Sequence, residues 1–380
     1  MIYSKTIKSL FSPLFILSLV ASFSFAQKWI TLPYAFSTER TNTTLGLVTL
    51  KKGLLQDQST FVATAFKSKS LWGAGFLFSD LVLPQNEKFS FSTWGMKRYL
   101  ANNHYFNNTS HHSSQYNQSI SSGEYRFFSS MLSYSDTLGK TKDISSLGLK
   151  SFYLLNTFDN RQSLNKWQSN GLRVFFSHEA TDLAKNPSRG YQINLQYSKD
   201  FAMLSSLQAW DFLEFKYNRY YSLPPFSFTQ SNVLAFSLWT GYSFSWDKNT
   251  QISPNIDKGR TPLGEGGTLG GMTRMRAYAT ERFSDKAVLY GSVELRSTLK
   301  YNPLKDASWL PIEVQWFQLV GFVEWGRVHH QYTPTLLNDM KFDVGLSLRT
   351  MLDKVPVRFD LAYGDEGINI WLMLYHPFDF

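Results

Sequence analysis

The glycine-rich segment 266–278 carries the clearest chemical motif in this 380-residue chain. Its motif residues, in order, are Gly266, Gly267, Gly270, Gly271, Met275, Arg276, Ala277 and Tyr278. A guanidinium group can donate several hydrogen bonds to carboxylates. Two acidic residues follow in strand-like segments, at Glu294 and Glu324. The chemistry that these residues offer is the ionic pairing of an arginine with carboxylates.

Residue types used in hydrolysis and metal binding are present but poorly arranged. The run 177–179 reads Ser-His-Glu, yet neighbours on a strand face opposite sides, and the chain has no Gly-x-Ser-x-Gly elbow. The polar segment 101–122 holds histidines that could bind a metal, although a solvated loop accounts for them without one. These are His104, His111 and His112. We expect no enzyme activity, no metal and no cofactor.

Strands with a period of two must position the arginine and the acids. Along 289–296 the apolar Leu, Gly, Val and Leu alternate with Tyr, Ser, Glu and Arg, and 342–349 shows the same pattern. Alternate residues of a strand face opposite sides, so one side is apolar and the other polar. The polar-side sets are Glu294 with Arg296, and Phe322 with Glu324 and Gly326.

The composition favours a membrane barrel over a soluble fold. Aromatic residues form 17% of the chain and charged residues 18%, while the mean hydropathy is −0.25. A transmembrane barrel has this mixture because each strand shows one face to lipid and the other to water. An aromatic-rich secreted β-sandwich or carbohydrate-binding protein is the alternative. The alternation over many long strands indicates an all-β transmembrane antiparallel barrel.

We count about fifteen strand-like segments and expect sixteen, because single-chain bacterial barrels usually close with an even number. The missing strand should lie before residue 60, within 101–122 or within 157–170. Two long segments, 101–122 and 247–283, are predicted to be loops. The strand-like segments are 44–51, 60–68, 71–82, 87–99, 123–135, 147–157, 170–180, 189–199, 211–221, 232–246, 287–299, 314–328, 340–351, 355–364 and 368–378.

The start of the chain resembles an export signal. A basic beginning, an apolar run at 10–20 and a small-x-small site ending at Ala26 predict that residues 1–26 are a cleaved Sec-type signal peptide. An N-terminal membrane anchor is the alternative, but the run is shorter than the roughly 20 residues of a spanning helix and contains Pro13. No later stretch is apolar enough for such a helix. We expect 27–380 to be one domain, a closed barrel in the bacterial outer membrane.

Charge and cysteine content limit the partners. The formal charge is +9, and Lys5 and Lys8 of the predicted leader account for two of these charges, which leaves +7. Acidic lipid headgroups and lipopolysaccharide suit such a surface. The basic residues are scattered, so we do not expect nucleic acid to bind. The absence of cysteine excludes disulfides and thiolate metal sites.

The glycine-rich segment resembles the loop-six signature of the BamA/TamA-like superfamily, also called the bacterial surface antigen family. That signature has a glycine pair, a few residues and then Val-Arg-Gly-Phe/Tyr, which here is Met-Arg-Ala-Tyr at 275–278. The departure at Ala277 matters because glycine accepts a positive φ and alanine does so at a cost. The resemblance is strongest over 260–380 and includes the strands near 290–296, 322–326, 343–349 and 356–360.

The resemblance implies roles for individual residues. Loop six of the family folds into the barrel, where its arginine meets acidic side chains of the inner wall. Arg276 would therefore bind Glu294 and Glu324, and Gly326 would leave room for the loop, whereas a solvated loop tip is the alternative. Pro377 either weakens the last strand for a lateral gate or simply ends it. The resemblance also implies a signal on the last strand, formed by Leu372, Leu374, Phe378 and Phe380.

The resemblance implies insertion or translocation of proteins at the outer membrane. Relatives with that activity carry periplasmic POTRA domains before the barrel, but here strand-like sequence begins soon after Gln27. A protein client and a separate periplasmic accessory subunit are therefore possible partners. The main alternative is a passive pore or structural barrel; an outer-membrane enzyme such as a lipase is a third possibility, which the arrangement of Ser, His and acidic residues does not favour.

Overall fold

The computed structural model describes most of the chain after the predicted leader. The predicted leader, part of the long loop 247–283 and Phe380 lie outside the described residues. The residues that the structure describes are 29–38, 41–106, 109–114, 118–137, 143–160, 163–183, 185–203, 209–245, 266–305, 313–352, 355–374 and 376–378.

Within these described ranges, sixteen antiparallel strands form one sheet in sequence order, and two short strands, β12 and β13, pair separately. The strands are β1 (Ile30–Thr38), β2 (Thr41–Lys52), β3 (Thr60–Lys67), β4 (Leu71–Leu83), β5 (Asn86–Phe106), β6 (Gln118–Thr137), β7 (Ile144–Asn160), β8 (Ser163–Thr181), β9 (Gly190–Asp200), β10 (Trp210–Leu223), β11 (Thr229–Tyr242), β12 (Gly267–Leu269), β13 (Phe283–Asp285), β14 (Ala287–Leu299), β15 (Val314–His329), β16 (Lys341–Leu352), β17 (Val355–Gly364) and β18 (Gly367–Leu374). A 3-10 helix covers Pro334–Leu337. Among the described residues, no helix has the length and apolarity needed to cross a membrane.

The sheet is a transmembrane barrel with an apolar outside and a polar inside. Its first and last strands, β1 and β18, lie side by side, with Cα atoms within 8 Å of each other. On β16, Leu346 is 67% exposed toward the outside, whereas Asp343 and Arg349 are buried inside. The predicted fold class and the number of sixteen strands are confirmed.

The structure corrects the predicted loop at 101–122. β5 continues to Phe106 and β6 begins at Gln118, so most of this segment is a long hairpin. Polar residues stand at both alternate sets of positions in this segment, so the sequence shows no period of two there. The strand missing from the prediction is β1, which lies before residue 60.

The connections between strands alternate between the two ends of the barrel because all neighbouring strands are antiparallel. Loop six, which joins β11 to β14, emerges at the same end as the β5–β6, β15–β16 and β17–β18 connections. We call this the loop-six end. β18 finishes at the opposite end. The main apolar core lies inside the barrel, where loop six packs against the inner wall, and includes Leu269, Met275, Tyr278, Tyr290 and Phe322.

Candidate functional site

Loop six folds into the lumen as a compact turn held by its glycines. β12 pairs with β13, with Gly267 opposite Asp285. Gly270 and Gly271 have φ angles of 104° and 113°, which only glycine adopts without strain. A Cβ on Gly270 would stand 2.2 Å from the carbonyl oxygen of Ala279, so the turn is also too tight for a side chain there.

Arg276 lies at the centre of a buried ion network. Its Nη2 is 3.1 Å from Oε1 of Glu294, its Nε is 3.2 Å from Oε1 of Glu324, and its Nη1 is 3.4 Å from Oδ2 of Asp360. All four side chains are fully buried. The guanidinium carbon also lies 3.4 Å from the centre of the Phe322 ring, a cation–π contact. We call Arg276 and its three carboxylates the arginine lock.

The lock extends to further arginines on the wall. Arg349 donates from Nη2 and Nη1 to the two oxygens of Glu294, at 2.6 and 2.9 Å, and Arg296 donates from Nε at 2.9 Å. Arg358 pairs with Asp360. Arg276 of loop six and three arginines of the wall therefore pair with Glu294 and Asp360, as buried charges require.

The backbone of the motif is also hydrogen-bonded to the inner wall. The N–H of Arg276 donates to Glu324 at 2.6 Å, and the N–H of Ala277 donates to Asp343 at 3.0 Å. From the last strand, Trp371 Nε1 donates to the carbonyl of Arg276 at 2.7 Å and Asn369 Nδ2 to that of Ala277 at 2.8 Å. Loop six thus ties β18 to β14, β15, β16 and β17 from inside the barrel.

The alanine in the tetrapeptide occupies an ordinary backbone conformation, so the predicted cost does not arise. Positive φ falls on Met275 instead, at 56°, and its side chain is fully buried. A left-handed residue of this kind costs roughly 1–2 kcal/mol. Ala277 is small because Gly364 lies against it: a Cβ on Gly364 would be 3.0 Å from the Ala277 methyl.

The predicted wall residues lie around the loop. A Cβ on Gly326 would stand 2.8 Å from Leu269 Cδ1 and 3.4 Å from the Met275 sulfur, so this glycine makes the room that the loop occupies. Tyr278 is buried and donates from its hydroxyl to the carbonyl of Phe342 at 3.2 Å. The contacts expected of Arg276 with Glu294 and Glu324 are present. Sequence reasoning assigned no role to Asp360, the third carboxylate of the lock, or to the residues that contact the lock and the motif backbone, which are Asp343, Arg349 and Arg358.

A second buried arginine joins three connections at the loop-six end. Arg282 Nε donates to both oxygens of Glu366, at 2.8 and 2.9 Å, and its Nη1 donates to Ser113 Oγ at 2.8 Å. Ser113 belongs to the β5–β6 connection, Glu366 to the β17–β18 turn and Arg282 to loop six. We call these three residues the outer clamp. Sequence reasoning missed it because the partners are far apart in the chain.

The interpretation of the histidine segment as a solvated loop is wrong for His111. Its ring is buried, donates from Nε2 to the carbonyl of Asp339 at 2.7 Å and lies 5.7 Å from the Phe283 ring. Burial lowers the pKa of His111 to about 4, although its hydrogen bond to Asp339 opposes this shift. His112 is exposed, and the side chain of His104 lies outside the described part of the chain.

The end of the last strand also differs from the prediction. β18 stops at Leu374, so Pro377 lies beyond the strand rather than inside it. Phe378 was expected on the strand, but it is buried in the lumen against Tyr220. Leu372 lies within β18 and is half-buried. Neither the Leu374 side chain nor Phe380 is among the described atoms.

The serine–histidine contact on the wall is not the one in the run 177–179. His178 Nδ1 lies 2.9 Å from Ser145 Oγ, and its Nε2 lies 3.3 Å from the Tyr191 hydroxyl. Within the described ranges no carboxylate contacts this histidine, and no group of three or more His, Cys, Asp or Glu side chains could hold a metal.

Fold and site together define a class: sixteen-stranded transmembrane barrels in which a motif arginine locks loop six to the inner wall. The chain belongs to the Omp85 superfamily, whose domain model matches residues 22–369. The resemblance in the glycine-rich segment and the following strands therefore reflects true membership of the family. A search of curated proteins found no match.

Solved structures share the fold at low sequence identity. CdiB from Escherichia coli matches with a TM-score of 0.63 and 12% identity, covering 93% of this chain and 62% of that one. CdiB from Acinetobacter baumannii matches with 0.56 and 10%, covering 91% and 59%. BamA from Haemophilus ducreyi lacking POTRA domains 1–3 matches with 0.57 and 11%, covering 92% and 70%. This chain therefore spans less than two thirds of either CdiB chain.

Proposed function

We propose that this barrel assists the insertion or translocation of client proteins at the bacterial outer membrane. Membership of the Omp85 superfamily and the likeness to BamA and CdiB support this function. The proposal involves no catalytic step and no cofactor, because its chemistry is reversible ionic and hydrogen-bonded contact inside the lumen.

The observation that carries the proposal is the bond between loop six and the last strand. Trp371 and Asn369 of β18 donate to the carbonyls of Arg276 and Ala277, and β1 lies on the other side of β18. A barrel that passes a client through its wall needs one place where the wall can open. Loop six holds β18 from inside, so the arginine lock is placed to control that opening.

The outer membrane is the location that the exposed apolar band and the predicted leader support. The outer face of β16 offers Leu346 and Val344, and such a band requires a hydrocarbon environment. Acidic lipid headgroups and lipopolysaccharide would meet the net positive surface. A separate periplasmic subunit is the partner that could deliver clients to the barrel.

Depletion of the protein, followed by mass spectrometry of the outer-membrane proteome, tests the function. Selective loss of outer-membrane or surface proteins whose transcripts are unchanged would support the proposal and would name the clients. Complementation with Arg276→Met should restore those proteins less well than complementation with the surface control Arg126→Met. An unchanged proteome would contradict the proposal.

A passive pore predicts a different electrical result. Loop six and residues 376–378 fill part of the lumen, so the proposed function predicts low or intermittent conductance in planar bilayers. A steady, large conductance together with an unchanged proteome would establish the pore instead.

A further inference from the structure

The segment after β18 turns back into the barrel. β18 ends at Leu374, and residues 376–378 lie inside the lumen, where His376 and Phe378 are each 3% exposed. An aromatic residue beyond a terminal strand would otherwise lie in water or at the membrane surface. Its burial shows that the inner wall provides a place for it.

That place is formed by β10, β11 and β14. The Phe378 carbonyl accepts hydrogen bonds from Lys216 Nζ and from Asn218 Nδ2, the latter at 3.3 Å. The ring packs with Tyr220, whose ring centre is 6.5 Å away, and lies 4.7 Å from the guanidinium carbon of Arg296. Val233 and Ala235 complete the apolar floor.

The contact between residues 376–378 and the wall of β10, β11 and β14 crosses the lumen. In the sheet, β15, β16 and β17 separate β18 from β14, and β11 and β10 lie further along. The segment therefore leaves β18 and reaches strands across the lumen. It also approaches the arginine lock, because Arg349 holds Glu294 on one side and lies 3.3 Å from Nδ1 of His376 on the other.

We propose that the inner wall of β10, β11 and β14 is a peptide-binding site, which the chain's own residues 376–378 fill. Its chemistry suits an extended segment with an aromatic side chain. Lys216 and Asn218 donate hydrogen bonds to a backbone carbonyl, and the aromatic ring packs against Tyr220, Arg296 and the apolar floor. The site is independent of any client activity, since its occupant belongs to the same chain. While that segment is bound, a peptide added from outside is excluded.

Deleting residues 376–380 empties the site and allows a direct binding test. The probe is the peptide LYHPFD, residues 374–379, labelled at its N-terminus, and binding to the detergent-solubilised barrel is followed by fluorescence anisotropy. We expect the deletion variant to bind at least tenfold more tightly than the intact chain. A peptide with Phe378→Ala should bind the deletion variant at least tenfold more weakly, and Lys216→Met in the deletion background should also weaken binding.

Three results would overturn the site. These are no binding by a deletion variant that keeps its heat-modifiable gel shift, equal binding by intact and deleted chains, and equal binding of the two peptides. If the deletion variant does not fold, the full chain with Phe378→Ala replaces it, because all its strands are complete. That variant should bind LYHPFD at least tenfold better than the wild type, and equal binding would reject the proposal.

Discussion

Replacing Arg276 with methionine should destabilise the barrel far more than replacing an exposed arginine. Methionine keeps much of the side-chain volume but removes the charge that three buried carboxylates share. Removing one partner of a buried ion pair costs about 3–5 kcal/mol.

The matched control is Arg126→Met. Arg126 pairs with Glu124 on the outer face, where the two side chains are 50% and 22% exposed. Exposed pairs contribute about 0–1 kcal/mol because water and salt screen them. The two variants should therefore differ by at least about 2 kcal/mol in the free energy of unfolding.

Urea unfolding of the barrel in detergent, followed by tryptophan fluorescence, measures this difference. The double variant Arg276→Met with Glu324→Gln should recover part of the loss, because it removes one of the carboxylates left without compensation. Equal stability of Arg276→Met and Arg126→Met would refute the reasoning. The reasoning would also be refuted if the free-energy changes of the two substitutions simply added in the double variant, because residues in one ion network must couple.

Other substitutions test separate parts of the site. Gly270→Ala should destabilise loop six by about 1–3 kcal/mol, because φ is positive there and a Cβ would meet backbone atoms. The control is Gly321→Ala, which should leave the urea midpoint unchanged because a Cβ at Gly321 meets nothing within 4 Å. Arg282→Met should raise hydrogen exchange at 109–114 and 365–367 together, and a rise in only one of them would contradict the outer clamp. Burial lowers the pKa of His111 to about 4, so the stability contributed by burying the neutral ring is fully present above pH 6.5 and is lost as the pH falls toward 4. As the pH is lowered over that interval, hydrogen exchange at 109–114, corrected for intrinsic rates, should rise in the wild type but not in His111→Gln.

The strand pattern could be predicted from sequence where one face meets lipid. The segment 287–299 is predicted and observed as the same strand, β14, because Glu294 and Arg296 alternate with outward apolar residues. The pattern fails in 101–122, where polar residues stand at both alternate sets of positions. Arg276 could be identified through its motif, but Asp360 and Arg349 could not, since their contacts depend on register and on the depth that loop six reaches.

The path of the last residues was also hidden from sequence reasoning. Pro377 indicates that a strand ends nearby, yet it does not specify whether the chain turns outward or into the lumen. The turn inward depends on Lys216, Asn218 and Tyr220, more than 150 positions earlier in the chain. Such long-range contacts carry no local pattern.

The most direct test of the proposed function is client folding into lipid vesicles that contain this barrel. The client is the outer-membrane protein most reduced on depletion, added from urea, and its folded fraction is followed by the heat-modifiable gel shift. The account predicts faster folding with the wild type than with empty vesicles, and a smaller acceleration with Arg276→Met than with Arg126→Met. Equal folding rates with and without the wild-type barrel would contradict the account.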